Sequence, residues 1–471
     1  MAKCFRSDNL KQDLLLPPSL RDWLPEKHLA HFLVDVVESL DLGAIYRSYE
    51  EKDGRGQAAY APTLMMRLLL YGYCTGTYSS RKIENKTYED VGFRYLAADE
   101  HPDHDTIAEF RKRHLEALAG LFVQVLQLCQ KAGLVKLGHV AIDGSKIQAN
   151  ASKHKAMSYE RLGETEKKLR EEVEALLEQA AAVDAAEDQK YGKGQKEQDL
   201  PAELARRESR LEKIRAAKAA LEAEAREKAE AEKAAVEAKL AQRAEQEAQS
   251  GKKVGGPKPQ VPDPATAQPD PKAQRNFTDP ESRIMPDGSH KGSFVQGYNT
   301  QIAVDGQAQI IVAAEITQDT NDTQQLAPML GQVQENTGSK PQAASADTGY
   351  WNSQQMADAR LQGVDLYIAT GKQKHGEERD EREASVAEAQ GSVSLREQMK
   401  QKLRSEAGQA VYRRRKAIVE PVFGQIKEGR GFRRFFLRGL QKVRAEWKLI
   451  CLSHNILKLF RSGTVVPMAQ K

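Results

Sequence analysis

At 471 residues the chain is too long for one ordinary domain and implies about three. Its net charge is only +4, yet residues 401–471 hold 17 Lys or Arg against four Glu and no Asp, a net of +13 that leaves −9 for the first 400 and points to a polyanionic partner. Met1 to Leu20 has no apolar core of signal-peptide length, no apolar run reaches about 18 residues, and Cys4, Cys74, Cys129 and Cys451 form no CxxC pair, which argues against a membrane span, a disulfide framework and a zinc site and predicts a cytoplasmic protein.

Residues 1–135 read as helical. HLAHFLVDVVESL (28–40), PTLMMRLLLYGYC (62–74) and EALAGLFVQVLQLCQKAG (116–133) each carry wide apolar faces, which predict core contacts for Cys74 and Cys129. Thr106 and Glu109 have capping-box spacing ahead of IAEFRKRHLEAL, with Asp105 a competing N-cap. Arg111, Lys112, Arg113 and His114 make this helix basic, which fits either a helix-turn-helix that meets DNA or an ordinary packing helix.

The period then changes. GHVAID (138–143) reads as a strand ending at Gly144, and GYNTQIAVD (297–305) and QIIVAAEIT (309–317) flank Asp305-Gly306 as a hairpin. AASAD (343–347) and DLYIAT (365–370) follow as short strands, with a helical stretch around Gln354 to Leu361 between them. A hairpin followed by strands alternating with helices predicts an α/β fold, a mixed sheet flanked by helices.

A long interruption separates the first strand from the hairpin. Residues 158–188 and 199–249 are rich in Ala, Glu, Lys and Arg, and Leu162, Leu169, Val173 and Leu176 keep coiled-coil spacing, as do Leu204, Leu211, Ile214 and Leu221. Gly192 and Gly194 break the pattern, and Asp199-Leu-Pro-Ala has the cap and first-turn proline of a new helix. An antiparallel helical hairpin, loosely packed beyond Ala225, is expected rather than one long dimerising helix. GGPKPQVPDPATAQPDP (255–271) reads as an extended linker.

Chemistry gathers at three acids. Asp143 and Asp347 each end a strand, and ligands of open α/β sheets collect beyond strand ends. Glu420 lies in YRRRKAIVEPVFGQIK (412–427), where helical spacing puts Arg413, Lys416, Glu420, Gly424 and Lys427 on one face. A carboxylate among cations, with a glycine permitting close approach, suits a metal ion meeting a phosphate backbone. Two strand-end carboxylates and a helical one are enough to hold two divalent ions. Lys427, Lys416 and Arg413 would contact phosphates beside the metals, and Arg433, Arg434 and Arg438 extend the track among Phe432, Phe435 and Phe436, aromatics expected in the core. Tyr350 and Trp351 are candidates to meet a flipped or terminal base. None of the ten histidines has metal-ligand spacing, and His454 on an apolar terminal helix reads as structural.

PDHDTIAEFRKRH (102–114), VAIDGSKIQANAS (140–152), DPESRIM (279–285), GYNTQIAVD (297–305), ADTGY (346–350) and VEPVFGQIK followed by GFRRFFLRGLQKVRAEWKL resemble the bacterial insertion-sequence transposases of the DDE class. The resemblance implies an RNase H-like catalytic core in which Asp143, Asp347 and Glu420 bind metal, expected to be two Mg2+ with Mn2+ as a substitute. That family carries a Tyr-(2)-Arg-(3)-Glu-(6)-Lys element around its last acid. Glu420 and Lys427 keep the six-residue gap, whereas Lys416 stands where Arg is expected and Tyr412 is one residue too distant.

The expected organisation is an all-α DNA-binding domain over 1–135, a first piece of catalytic core over 136–157, an inserted coiled-coil hairpin and linker over 158–270, and the remaining core with basic terminal helices over 271–471. The expected activity is metal-dependent cleavage of DNA at element ends and joining of the 3′ hydroxyl to target DNA. The expected partners are element-end and target DNA, with a homo-oligomer pairing two ends and no membrane contact. A decayed copy that only binds DNA and a coiled-coil scaffold are the rival readings.

Overall fold

The polypeptide opens with seven helices: α1 (Leu29–Ser39), α2 (Gly43–Glu50), α3 (Pro62–Thr75), α4 (Ser80–Glu89), α5 (Val91–Leu96), α6 (His104–Arg113) and α7 (Leu115–Lys131). The computed structural model describes residues 19–50, 59–191, 202–250, 259–287, 292–371 and 394–464. Cys4, the break at Gly192 and Gly194, the Asp199-Leu-Pro start of the second long helix and the first residues of the proline-rich linker lie outside the described residues. Proline in its first turn starts α3, and Gly76, at φ 78°, ends it in a left-handed conformation that side chains disfavour. The cap of α6 differs from expectation. The N-cap is Asp103 rather than Thr106 or Asp105: its carboxylate accepts the N–H of Thr106 at 2.8 Å, so the helix begins earlier and gains a cap worth about 1 kcal/mol. Arg111 is buried and donates to the Tyr78 carbonyl at 3.0 Å, so of this basic helix only Lys112 and Arg113 remain exposed as cations.

Beyond α7 the chain forms a six-stranded sheet from β1 (His139–Gln148), β4 (Arg283–Pro286), β5 (Phe294–Asp305), β6 (Ile311–Thr317), β7 (Ala343–Ala346) and β8 (Asp365–Ile368). Strands β1 and β5 pair antiparallel, with β4 and β6 sharing the far edge of β5, while β7 and β8 add in parallel on the other side of β1. The sheet is therefore mixed. Strand β1 runs five residues past Asp143, because Gly144 to Gln148 continue the ladder to β5. The β5–β6 connection is wider than a two-residue turn. Gln309 takes the left-handed conformation (φ 59°), and the buried Asp305 carboxylate accepts the N–H groups of Gln307, Lys136 and Leu137, fastening the turn to the start of β1. Between β7 and β8 the expected helix is reduced to the short 3-10 turns Gln355–Ala357 and Ala359–Leu361.

Against this sheet pack α10 (Leu326–Thr337), α12 (Glu406–Gly424) and α13 (Leu440–Arg461), with α11 (Leu395–Arg404) beside β8. The α13 helix also packs on α7 and α3, so one continuous apolar core runs from the N-terminal helices to the sheet. Cys74, Cys129 and Cys451 are buried in it, where desolvation pushes the Cys74 and Cys129 thiols up to about 12. His454 is buried too, its pKa lowered to about 3 by desolvation, and its ring Nε2 lies 3.0 Å from the Gln309 carbonyl.

The interruption forms α8 (Tyr159–Tyr191) and α9 (Ala202–Ser250). Contacts pair Tyr159 with Glu222, Glu166 with Lys218 and Glu172 with Arg207, so the two helices run antiparallel. Leu162, Leu169, Leu211, Ile214, Ala217 and Leu221 form a second apolar cluster, separate from the main core. At its base β2 (Ala156–Ser158) pairs antiparallel with β3 (Gln274–Asn276). Part of the expected linker packs on α9 through the 3-10 turn Pro264–Thr266.

Candidate active site

Asp143 and Asp347 meet because β1 and β7 are parallel neighbours. Their ladder ends with Ala141 opposite Ser345, two residues before each acid, and the charge of Asp347 is felt at Asp143. Asp143 lies within β1, and Asp347 caps the 3-10 turn Thr348–Tyr350 that follows β7. Each carboxylate is held by a following backbone N–H: Gly144 donates to Asp143 Oδ1 at 2.9 Å, and Gly349 donates to Asp347 Oδ1 at 2.9 Å. The Asp143 pKa is raised to about 6, chiefly by desolvation, with the nearby guanidinium of Arg415 pulling it down and the negative charge of Asp347 adding to the rise.

The α12 helix packs over these strands. Arg415 is buried, its Nη1 lying 3.8 Å from Asp143 Oδ2, and the Tyr412 ring lies 5.8 Å from its guanidinium. At the far end a π-helical turn, Gln425–Gly429, follows Gly424. It carries Lys427 onto β1, where the ammonium donates to Ser145 Oγ and to the Lys146 carbonyl. Ser145 and Asp143 share a face of β1, because side chains alternate along a strand. Burial lowers the Lys427 pKa, and the Asp287 and Asp143 carboxylates oppose that shift.

Glu420 lies on α12 between these two cations, but its side chain is exposed, and among the described residues no group of three His, Cys, Asp or Glu is gathered for a metal. Lys416 and Arg413 are exposed, with Arg413 donating to Gln409 Oε1. The spacing of the family's Tyr-Arg-Glu-Lys element puts Lys416 at the arginine position, whereas packing gives Arg415 the contact with Asp143. Tyr412 and Arg415 do keep the two-residue gap of the Tyr-Arg element. Among the described residues a Cβ on Gly424 would meet nothing within 4 Å, so none of them demands glycine there.

The basic track is exposed at Arg433, Arg434 and Arg438. Arg433 pairs with Glu428, while Arg434 and Arg438 donate to the side chain and carbonyl of Asn150 at 3.0 and 2.9 Å. Phe432 and Phe435 are core residues, and Phe436 is 43% exposed. Tyr350 is fully buried and donates its hydroxyl to Gln301 Oε1, which removes it from any base-contacting surface. Trp351 is half-buried against the core.

One acid escaped the sequence reading. Asp322, in the loop between β6 and α10, accepts hydrogen bonds at Oδ1 from Asn299 Nδ2 and Gln301 Nε2, both at 2.7 Å, and lies 3.5 Å from Lys146 Nζ. Its charge raises the Asp143 pKa, though less than burial, Arg415 or Asp347 shift it.

The donor set suits a hard divalent cation. Two neighbouring carboxylates, one of them poorly solvated, supply oxygen ligands only, and magnesium needs no more than one or two protein carboxylates beside water and phosphate oxygens.

A mixed sheet that carries Asp143 within β1 and Asp347 just past the end of the neighbouring β7, with a basic helix over them, defines a mixed α/β class, and the family comparisons narrow it. Residues 263–456 match the transposase DDE domain, which implies an RNase H-like fold, and residues 18–113 match the Transposase domain (DUF772). The chain belongs to the insertion-sequence transposases of the DDE class. Asp143 lies between the two matched segments, separated from the second by α8 and α9, and meets it again through the sheet and through Arg415. No curated protein and no solved structure matches the chain. Among the described residues no helix is long and apolar enough to cross a membrane.

Proposed function

We propose that this transposase cleaves DNA at the ends of its element and joins the freed 3′ hydroxyl to target DNA, with Asp143 and Asp347 as the central metal ligands. The observation that carries the reading is the closeness of these carboxylates on the parallel neighbours β1 and β7, with Arg415 of α12 and Lys427 of the π-helical turn beside Asp143 and Ser145. Bound magnesium, or manganese in its place, would supply the charge that activates an attacking oxygen and stabilises a leaving one. Glu420 would complete the ligand set when DNA draws α12 closer. Arg415 holds Asp143 in its orientation, and Lys427 offers a cation to a phosphate beside the acids. The exposed Lys416, Arg413, Arg433, Arg434 and Arg438 would position the backbone without reading sequence. The helices up to α7 would add DNA contacts, two protomers would pair two ends, and α8 with α9 would form a coiled-coil hairpin appended to the core.

The test is a strand-cleavage assay on DNA carrying the ends of the element, with magnesium and then manganese. Asp143→Asn, Asp347→Asn and Glu420→Gln should each lower cleavage by about a hundredfold or more, with double variants little worse than single ones. DNA affinity should stay within a few-fold of wild type. An intact protein that binds the ends tightly yet never cuts them would leave the DNA-binding, non-enzymatic reading in possession.

A further inference from the structure

Asp322 occupies ground that the proposed chemistry does not account for. On β1, Asp143 and Ser145 point toward α12, so Gly144 and Lys146 point the other way. Opposite them in register on β5 stand Gln301 and Asn299, both fully buried. The space that a side chain at 144 would use is taken: a Cβ there would lie 2.5 Å from Gln301 Nε2 and 2.8 Å from Asp322 Oδ1. Glycine at 144 thus lets a carboxylate come up behind the strand that carries Asp143.

Asp322 is the acceptor on which this buried layer depends. Its Oδ1 receives both the Asn299 and the Gln301 amides, and Asn299 also donates to the Asp319 carbonyl, tying down the loop that carries Asp322. Gln301, its amide spent on Asp322 and on Asn299 Oδ1, turns its carbonyl to the Tyr350 hydroxyl. Tyr350 closes the 3-10 turn Thr348–Tyr350 that Asp347 caps. The carboxylates of Asp322 and Asp347 flank the same glycine, since a Cβ on Gly349 would lie 3.6 Å from Asp322 Oδ2 and 3.1 Å from Asp347 Oδ1. Buried amides and hydroxyls demand partners, and a fully satisfied network of them has one arrangement.

We propose that Asp322 is a positioning residue: from behind β1, through Gln301 and Tyr350, it fixes the backbone segments that carry Asp143 and Asp347. The role rests on the active-site reading above. It is exercised through hydrogen bonds, so an asparagine, whose carbonyl oxygen can accept from the same two amides, serves nearly as well as the acid.

The experiment compares Asp322→Ala, Asp322→Asn and Tyr350→Phe with wild type in steady-state strand cleavage, DNA binding and binding of Mn2+ to the DNA-free protein by electron paramagnetic resonance. Asp322→Ala should lower kcat and Mn2+ affinity by about tenfold or more, the usual effect of losing an outer-shell partner, while KM and DNA affinity change less than about twofold. Asp322→Asn should recover most of that loss. Tyr350→Phe should reproduce part of it, and adding it to Asp322→Ala should cost little more, because both cut one network. Wild-type kcat and Mn2+ affinity in Asp322→Ala would overturn the proposal, as would an Asp322→Asn protein no better than the alanine variant. If Asp322→Ala melts out, Tyr350→Phe decides, and wild-type behaviour there overturns it. Failure of wild-type protein itself to cut DNA sinks the functional reading instead, and the Mn2+ measurement still judges the positioning role.

Discussion

Arg415 and Lys416 are adjacent in the chain, yet one is buried against Asp143 and the other is exposed. A buried guanidinium near a desolvated carboxylate favours its charged form, and removing the cation leaves that carboxylate more costly to ionise. Arg415→Met should therefore lower cleavage on the order of ten- to a hundredfold with little change in DNA affinity. Lys416→Ala should do the reverse, leaving kcat near wild type while making the salt dependence of DNA binding shallower by about 0.9 in log–log slope. The two variants measured side by side in cleavage and salt-titrated binding check this, and identical behaviour would put both residues in the same electrostatic field. Spacing could not make the distinction from sequence, because four consecutive cations from Arg413 to Lys416 occupy every direction around a helix, and only packing selects among them. Asp322 was hidden for a related reason. In QDTNDTQQ it sits among residues that favour turns, and its role depends on Asn299 and Gln301 some twenty residues earlier.

At the scale of elements, the strands were legible because alternation and flanking turn residues mark them, and although β1 runs on past Asp143, Asp347 was legible as the end of β7. Parallel pairing of β1 with β7 was not, since nothing in either segment encodes its neighbour. The π-helical turn after Gly424 was not either. It shifts the phase of the helix, so Lys427 reaches Ser145 and the Lys146 carbonyl while Glu420, drawn on the same face by an ideal period, remains exposed. A second junction is set by Glu446 on α13, buried at 1% exposure, whose carboxylate accepts the backbone N–H groups of Phe436 and Leu437. Desolvation raises its pKa from 4.5 to about 7, although the Leu437 N–H, Arg111 and the Phe436 N–H all favour the charged form. The native state thus holds a proton that the unfolded chain has released. The stabilisation from that proton is complete below about pH 4.5 and lost as pH rises through about 7. Urea unfolding should show stability falling between pH 5 and pH 8, and Glu446→Gln, which keeps an acceptor for the loop, should flatten that fall. An unchanged slope in the variant would assign the pH dependence to other groups.

Across the whole molecule the chain joins its pieces in an order its sequence disguises. Heptad spacing made α8 and α9 legible as paired helices, but it could not say whether they enter the core. Their apolar cluster, from Leu162 to Leu221, is separate from the one that unites the N-terminal helices, the sheet and α13. The two ends of the insertion are also brought together, since Ser158 stands opposite Gln274 in the β2–β3 ladder. A short turn can therefore replace residues 159–273 without stretching the flanking strands, and the entropic cost of closing the new loop is smaller than that of the long one it replaces. What is lost is local: the ion pairs from Glu224 to Arg275 and Arg283, and the cover that the cluster gives to Met157 and Phe277. Exposed pairs of this kind contribute about 0–1 kcal/mol each, so they should not decide whether the core folds. The shortened protein, with Met157 and Phe277 changed to polar residues, should be soluble, melt within about 5 °C of wild type, and keep its Mn2+ and DNA affinities. An insoluble product, or one that melts far lower, would show that α8 and α9 hold Asp143 in the sheet, and that the catalytic core includes the segment that divides it.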